Sequence, residues 1–178
     1  MDCDVRVGIG VDAHAFGPGA PLVIGGVTFP GELGLIGHSD GDVLAHALTD
    51  AVLGAAGLAD IGELFPSDDP RWQRADSLEL LATAYHGVLV EGFELMNADC
   101  VLIGQRPRIA PRREEMRLRL ADALGADVSQ VAVRATTTDR LGFTGREEGL
   151  VAQAVALVRR RSADTAPAGG PPGPPRVG

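Results

Sequence analysis

Apolar residues at Val5, Val7, Ile9 and Val11 alternate with Arg6, Gly8, Gly10 and Asp12, a period of two. It predicts a strand over Asp4–Asp12 with the branched side chains turned to a core. Pro21–Phe29 holds two short apolar pieces around Gly25-Gly26, the pattern of a hairpin. The period then lengthens: Val43, Ala47, Val52 and Ala56, opened by Asp42 and closed by Gly57, predict a helix over Asp42–Gly57. Ala59–Arg74 is polar, turn-rich and proline-punctuated, which suits a mobile loop over a site. Next come a helix over Ser77–Glu91, a strand over Phe93–Ile103, a helix over Arg112–Leu124 stopped by Gly125, and a strand over Val131–Thr137. The loop DRLGFTG then leads into an expected terminal helix over Glu147–Arg161. Strands and helices that alternate this irregularly predict one compact α+β domain, residues 1–161, with a mixed β-sheet and helices packed on one face. From Ser162 the sequence SADTAPAGGPPGPPRVG lacks the large apolar residues that order a chain, so 162–178 reads as a disordered Pro/Gly-rich tail.

Composition narrows the function. A length of 178 residues, 45% of them hydrophobic, is enough for one good core. The net charge of -8 argues against a nucleic-acid partner, whose binding depends on clustered cations. The chain has no lysine, so a bound phosphate must be held by metal ions, arginine, hydroxyls or backbone N–H groups. Cys3 and Cys100 form neither a CxxC pattern nor a disulfide framework. With an acidic start and no membrane-length apolar run, the expectation is a soluble, cytoplasmic protein.

Two polar signatures interrupt the apolar runs, VDAHAF (Val11–Phe16) and HSDGDVLAH (His38–His46). Asp12 and His14 lie two apart on one side of the first strand, and His46 on the helix opened by the HSDGD loop is placed to join them. One carboxylate and two imidazoles suit zinc with a fourth position left open. Asp42 and Asp50 flank His46 at helical spacing, which predicts a carboxylate behind its second ring nitrogen. Helix-start residues and a strand-end Asp account for the same strings more simply if each stands alone. In ATTTDRLGFTGR (Ala135–Arg146), three threonines and Asp139 follow a strand and could bind phosphate oxygens and magnesium, although threonine alone merely favours strands.

Together VDAHAF, IGG, HSDGDVLAHALTDA, ADIGELFP, IGQRPRIAP and ATTTDRLGFTGR, in this order over Arg6–Arg160, closely resemble the 2-C-methyl-D-erythritol 2,4-cyclodiphosphate synthases of the non-mevalonate isoprenoid pathway. The resemblance implies a phosphorus–oxygen lyase. It would convert 4-diphosphocytidyl-2-C-methyl-D-erythritol 2-phosphate to the cyclic diphosphate and CMP. It implies a homotrimer with sheets toward the axis and active sites at subunit interfaces, zinc on Asp12, His14 and His46, and magnesium or manganese on Asp139. His38 and Thr137 would stabilise the transition state, and Ser39 would contact phosphate. Asp60, Ile61, Gly62 and Phe65 would line the sugar region. Gly104, Arg108, Ile109, Ala110, Ala135, Thr136 and Thr137 would form the cytidine pocket. Phe143 and Arg146 would lie near the axis. Asp139 stands where the family usually has Glu, Arg108 and Arg134 where Lys is common, and Ser67 where an acidic residue is frequent. The competing readings are a zinc-dependent phosphohydrolase and a silent binding module for nucleotides or isoprenoid diphosphates.

Overall fold

In the computed structural model of the chain, which describes residues 4–161, the long first strand β1 (Val5–Gly17) runs on past the expected Asp12 and so carries His14 within the sheet. A small hairpin β2 (Leu22–Ile24) and β3 (Val27–Phe29), and the short β4 (Gly34–Leu35), lead to helix α1 (Val43–Ala56). A turn of helix, α2 (Ile61–Leu64), and a 3-10 turn at Pro70–Trp72 precede α3 (Ser77–Val90). The remainder is β5 (Phe93–Ile103), α4 (Arg113–Ala123), β6 (Val131–Thr136), the short α5 (Gly142–Gly145) and β7 (Gly149–Arg160). The main sheet has the order β4-β1-β7-β5-β6 and is mixed, because β5 and β6 run parallel across the α4 connection while the other pairs are antiparallel. The expected disordered tail, 162–178, and Cys3 lie outside the described residues.

The last element corrects the sequence reading: Gly149–Arg160 is a central strand, not a helix. Alanine favours helices in isolation, which is why the segment reads that way. Here Leu150, Ala152, Ala154, Ala156 and Val158 are buried at every second position, a strand period that tertiary packing selects. The small side chains let α1 lie close. On β1 a Cβ at Gly8 would stand 2.0 Å from the Ala51 carbonyl oxygen and one at Gly10 would stand 2.0 Å from that of Ala47. Ala47, Ala51 and Ala55 fall four apart on α1 and form the flat stripe that meets this groove.

A second correction concerns the face of β1. Val7, Ile9 and Val11 are 67%, 60% and 58% exposed, while Gly8, Gly10, Asp12 and His14 face the helices. The apolar alternation is therefore real, but its large residues lie on the face opposite the core. Val5, Met96 and Val155 are exposed with them. No helix among the described residues is long and apolar enough to cross a membrane.

Candidate metal centre and active site

Helix α1 begins at Asp42, whose buried carboxylate accepts hydrogen bonds from Leu44 N (3.0 Å) and Ala45 N (3.1 Å). It also accepts from Gly25 N (2.9 Å) and Gly26 N (2.7 Å) in the β2–β3 turn, where both glycines have positive φ. Burial pushes this carboxyl up, against the pull of the backbone donors. The Asp42 carboxylate thus pins the helix start to the hairpin and is not a partner of the His46 ring. One turn on, His46 points at β1, and its Nδ1 lies 3.0 Å from Asp12 Oδ2. His14 Nε2 lies 3.0 Å from the same oxygen.

The three donor atoms lie within 4.8 Å of one another, the spacing of a cluster able to hold a metal ion. Three of the chain's 4 histidines, His14, His38 and His46, gather in this region. His14 Nδ1–H donates to the Ile36 carbonyl at 2.6 Å, which leaves Nε2 with its lone pair toward the cluster. Burial raises the Asp12 carboxyl, but hydrogen bonds and charge from His14 and His46 outweigh it and hold it well below the usual carboxylate range. Reciprocally, the Asp12 bond raises His14 above its ordinary value against the effect of burial.

Behind His46 the expectation of a carboxylate is corrected. Its Nε2 meets two hydroxyls, Ser77 Oγ at 2.9 Å and Ser39 Oγ at 3.0 Å. Asp50, the other candidate, accepts instead from Ile61 N at 2.8 Å and ties α2 to α1. Ser77 opens α3, 31 residues beyond His46 in the chain, and an ordinary helix-start serine gives no sequence signal of this contact.

The polar stretch after α1 is fastened to the HSDGD loop. Arg74 N donates to His38 O (2.9 Å), Asp40 N to Ala75 O (3.2 Å), and His38 Nε2 to Asp69 O (3.4 Å). Asp60 caps α2 through Glu63 N, Gly62 is exposed, and the half-buried Phe65 packs edge-on to Trp72 at 4.9 Å. Ile61 is also half-buried, and its backbone N is held by Asp50 on α1.

Ala135, Thr136, Thr137 and Asp139 are exposed. Thr137 Oγ1 donates to Asp139 Oδ1 at 3.1 Å, and Asp139 has a φ of 49°. These residues share the end of the sheet that bears His14, through the row Ala13–Val151–Ile103–Thr136. Three strand-to-strand steps of about 4.8 Å separate the two groups, roughly 14 Å in one chain. The structure therefore does not bring Thr137 and Asp139 to Asp12, His14 and His46 within the single chain.

Gly104–Ala110 lies beside Thr136, with Gly104 N donating to its carbonyl at 3.0 Å. Arg108 and Ala110 are exposed, whereas the Ile109 side chain is buried in the core and leaves only its backbone to a ligand. Arg106, not singled out from sequence, anchors this loop. It pairs with Glu32 (3.0 Å) and Glu147 (2.9 Å) and lies 4.8 Å over Phe16. Phe143 is 44% exposed, and Arg146 pairs with Glu148 at 2.7 Å. Cys100 is buried, its thiol pushed up to about 12 by desolvation, so it is no nucleophile.

The profile of the YgbB family matches residues 5–159. The 2-C-methyl-D-erythritol 2,4-cyclodiphosphate synthase of Geobacillus thermodenitrificans is 56% identical over 158 residues, covering 89% of this chain and 99% of that protein. The bifunctional IspDF of Campylobacter jejuni superposes with a TM-score of 0.86 at 44% identity over 89% of this chain, which spans 43% of that longer protein. IspF of Plasmodium falciparum in complex with CDP superposes with a TM-score of 0.77 at 29% identity, covering 89% of this chain and 97% of that one.

Proposed function

Since the chain belongs to the YgbB family, we propose that it catalyses the reaction for which its relatives are named. It converts 4-diphosphocytidyl-2-C-methyl-D-erythritol 2-phosphate to 2-C-methyl-D-erythritol 2,4-cyclodiphosphate and CMP. The observation that carries the reading is the Asp12–His14–His46 cluster, open on one side and flanked by His38 and Ser39. Its two neutral nitrogens and one carboxylate oxygen suit zinc, and three protein ligands leave a fourth position for a phosphate oxygen. When bound, the ion supplies fixed positive charge that neutralises and orients phosphate.

The protein's share of the chemistry is alignment. An oxygen of the substrate's 2-phosphate bonds to the β-phosphorus while the bond from that phosphorus to the bridging oxygen breaks and the electron pair leaves on CMP. The nucleophile belongs to the substrate, so the site needs no activated serine or cysteine. Ser39 presents a hydroxyl to a phosphate oxygen beside the cluster, His38 would reach the same phosphate by exchanging its weak 3.4 Å bond to the Asp69 carbonyl for it, and Thr137 presents a hydroxyl from the other half. Asp139 would hold magnesium or manganese, a hard cation that prefers a carboxylate plus substrate phosphates and would supply positive charge there. Arg108, Ile109 and Ala110 with Gly104 and Ala135–Thr136 surround the cytosine, and the CDP bound by the Plasmodium relative supports a cytidine nucleotide here.

The working unit is a homotrimer in the cytoplasm, with its sheets toward the axis. Three supports are the exposed apolar face of Val7, Ile9 and Val11, the roughly 14 Å between the half-sites, and the exposure of Thr137 and Asp139. Purified protein incubated with authentic substrate and read by phosphorus NMR tests the reading. The cyclic diphosphate with CMP is expected. CMP with linear phosphates would make it a phosphohydrolase, and binding without turnover a nucleotide-binding module.

A further inference from the structure

The two imidazoles of the cluster have different backing. His14 donates Nδ1–H to the Ile36 carbonyl, and a carbonyl only accepts, so the tautomer of His14 has no alternative. His46 is backed by hydroxyls, which can donate or accept. A hydroxyl that donated to Nε2 would move the imidazole proton to Nδ1, the atom that faces Asp12, and put it where a metal must bind.

The direction is decided one residue further out. Ser77 is fully buried, and its hydroxyl makes a short hydrogen bond to Asp40 Oδ1 while its backbone N donates to Asp40 Oδ2 at 3.1 Å. Asp40 Oδ1 also accepts from Asp42 N at 3.1 Å, which fixes the carboxylate to the start of α1. An ionised carboxylate accepts only, so the Ser77 proton is committed to Asp40 and its lone pairs face His46 Nε2. Ser39, 3.0 Å from the same Nε2, lacks this constraint: its hydroxyl accepts from Gly41 N at 3.3 Å and no carboxylate fixes its proton, so the direction is set by Ser77. The order is Asp–Ser–His, with serine in the middle place that histidine holds in the Asp–His–Ser order of a hydrolase triad.

We propose that Ser77, oriented by Asp40, is a positioning residue that commits His46 to the Nε2–H tautomer and so presents the Nδ1 lone pair to the metal. The assignment rests on the metal reading given above, and it concerns residues that touch neither substrate nor ion.

The test compares wild type with Ser77→Ala and Asp40→Asn. The second change is nearly isosteric, and its amide can turn an N–H toward Ser77 and release the hydroxyl to donate to His46. Zinc affinity, measured by competition with a chromophoric chelator, is expected to fall by roughly 10- to 100-fold in both variants. In nitrogen-15-labelled protein, the His46 Nε2–H is expected to be sharp and slowly exchanging in wild type and broadened in both variants. If both variants keep zinc affinity within about twofold of wild type and retain the sharp signal, the assignment to Ser77 is overturned while the metal site stands. Should Ser77→Ala fail to fold, Asp40→Asn alone gives the same two readouts. If wild type and His46→Ala bind zinc equally, the metal reading fails instead. The His46 tautomer in zinc-free wild type then decides the role of Ser77: Nε2–H supports it and Nδ1–H alone overturns it.

Discussion

Asp12, His14 and His46 are each held by contacts within their own chain. A strand and a helix locked together by glycines and alanines carry them, one carboxylate oxygen joins the two rings, and a carbonyl, the buried Ser77 hydroxyl and the half-buried Ser39 hydroxyl meet the far nitrogens. Thr137 and Asp139, at the other end of the same row across the sheet, are exposed and bond mainly to one another. The first group is pre-organised by its own chain. The second is a hydroxyl and a carboxylate at an exposed strand end, assigned under the proposed function to phosphate and a second metal. Under the proposed function one diphosphate reaches both groups, which would require a neighbouring chain to bring its exposed half to this cluster, and the exposed apolar face of β1 is where such a chain would pack.

The largest effect should come from the pre-organised half. His46→Ala should lose the stoichiometric metal and on the order of a thousandfold or more in turnover. Its circular dichroism should remain that of the folded protein. Full zinc occupancy by elemental analysis in that variant would remove His46 from the site.

The exposed half should be nearly as sensitive. Asp139→Ala should abolish magnesium-dependent turnover, roughly a hundredfold or more. Asp139→Glu, restoring the usual side-chain length of the family, should remain active. Wild-type rates in the alanine variant would end the role given to Asp139.

The third target is the exposed apolar face of β1. Ile9→Asp places a charge at its centre, where burial without a partner costs several kcal/mol, about enough to dissociate the assembly. Sedimentation should show monomers, and turnover should fall with them while the metal cluster stays loaded. A trimer of normal activity would show that this face is not the interface.

The smallest effect is one of pH on the metal-free protein. Chiefly through its bond to Asp12, His14 is raised above its ordinary 6.5, so its contribution to stability is whole below about 6.5 and is lost as pH rises through the folded value. Burial works to raise Asp12 but the two histidines overcome it. Its contribution is therefore present above 3.8 and lost as pH falls through the depressed folded value. The melting temperature of metal-free protein should therefore fall by about a few degrees above pH 6.5. That of zinc-loaded protein should rise over the same range, because the ligands must be unprotonated. Parallel slopes would show that the cluster does not couple metal to folding.

How much of this was legible from sequence follows from where the determining contacts lie. VDAHAF and HSDGDVLAH announced the cluster because spacing of two on a strand and a helix opened by an acidic cap are local geometry. The terminal segment Gly149–Arg160 was misread because its alanines carry helical propensity, and only the sheet around it and α1 above it make the period of two decisive. The alternation of Val7, Ile9 and Val11 marks the strand but not the face, since a period of two does not say which side turns to the helices, and here it is the glycine side. Ser77 was invisible because it reaches His46 across 31 residues through tertiary packing. Asp42 looked like a neighbour of His46 at helical spacing, and its four backbone donors show why it points elsewhere.

The shared site is tested most directly by mixing two dead proteins. His46→Ala is defective in the metal half and Asp139→Ala in the exposed half, so each homotrimer should be inactive. Co-refolded in equal amounts, the two should regain activity. A site works wherever an Asp139→Ala chain supplies the cluster and a His46→Ala chain supplies the other side, which is about a quarter of the interfaces in a randomly mixed cyclic trimer. Recovery approaching that fraction of wild-type turnover is the expected result. If mass spectrometry shows mixed trimers and the mixture stays inactive, both halves of each site belong to one chain and the account of the interface is wrong.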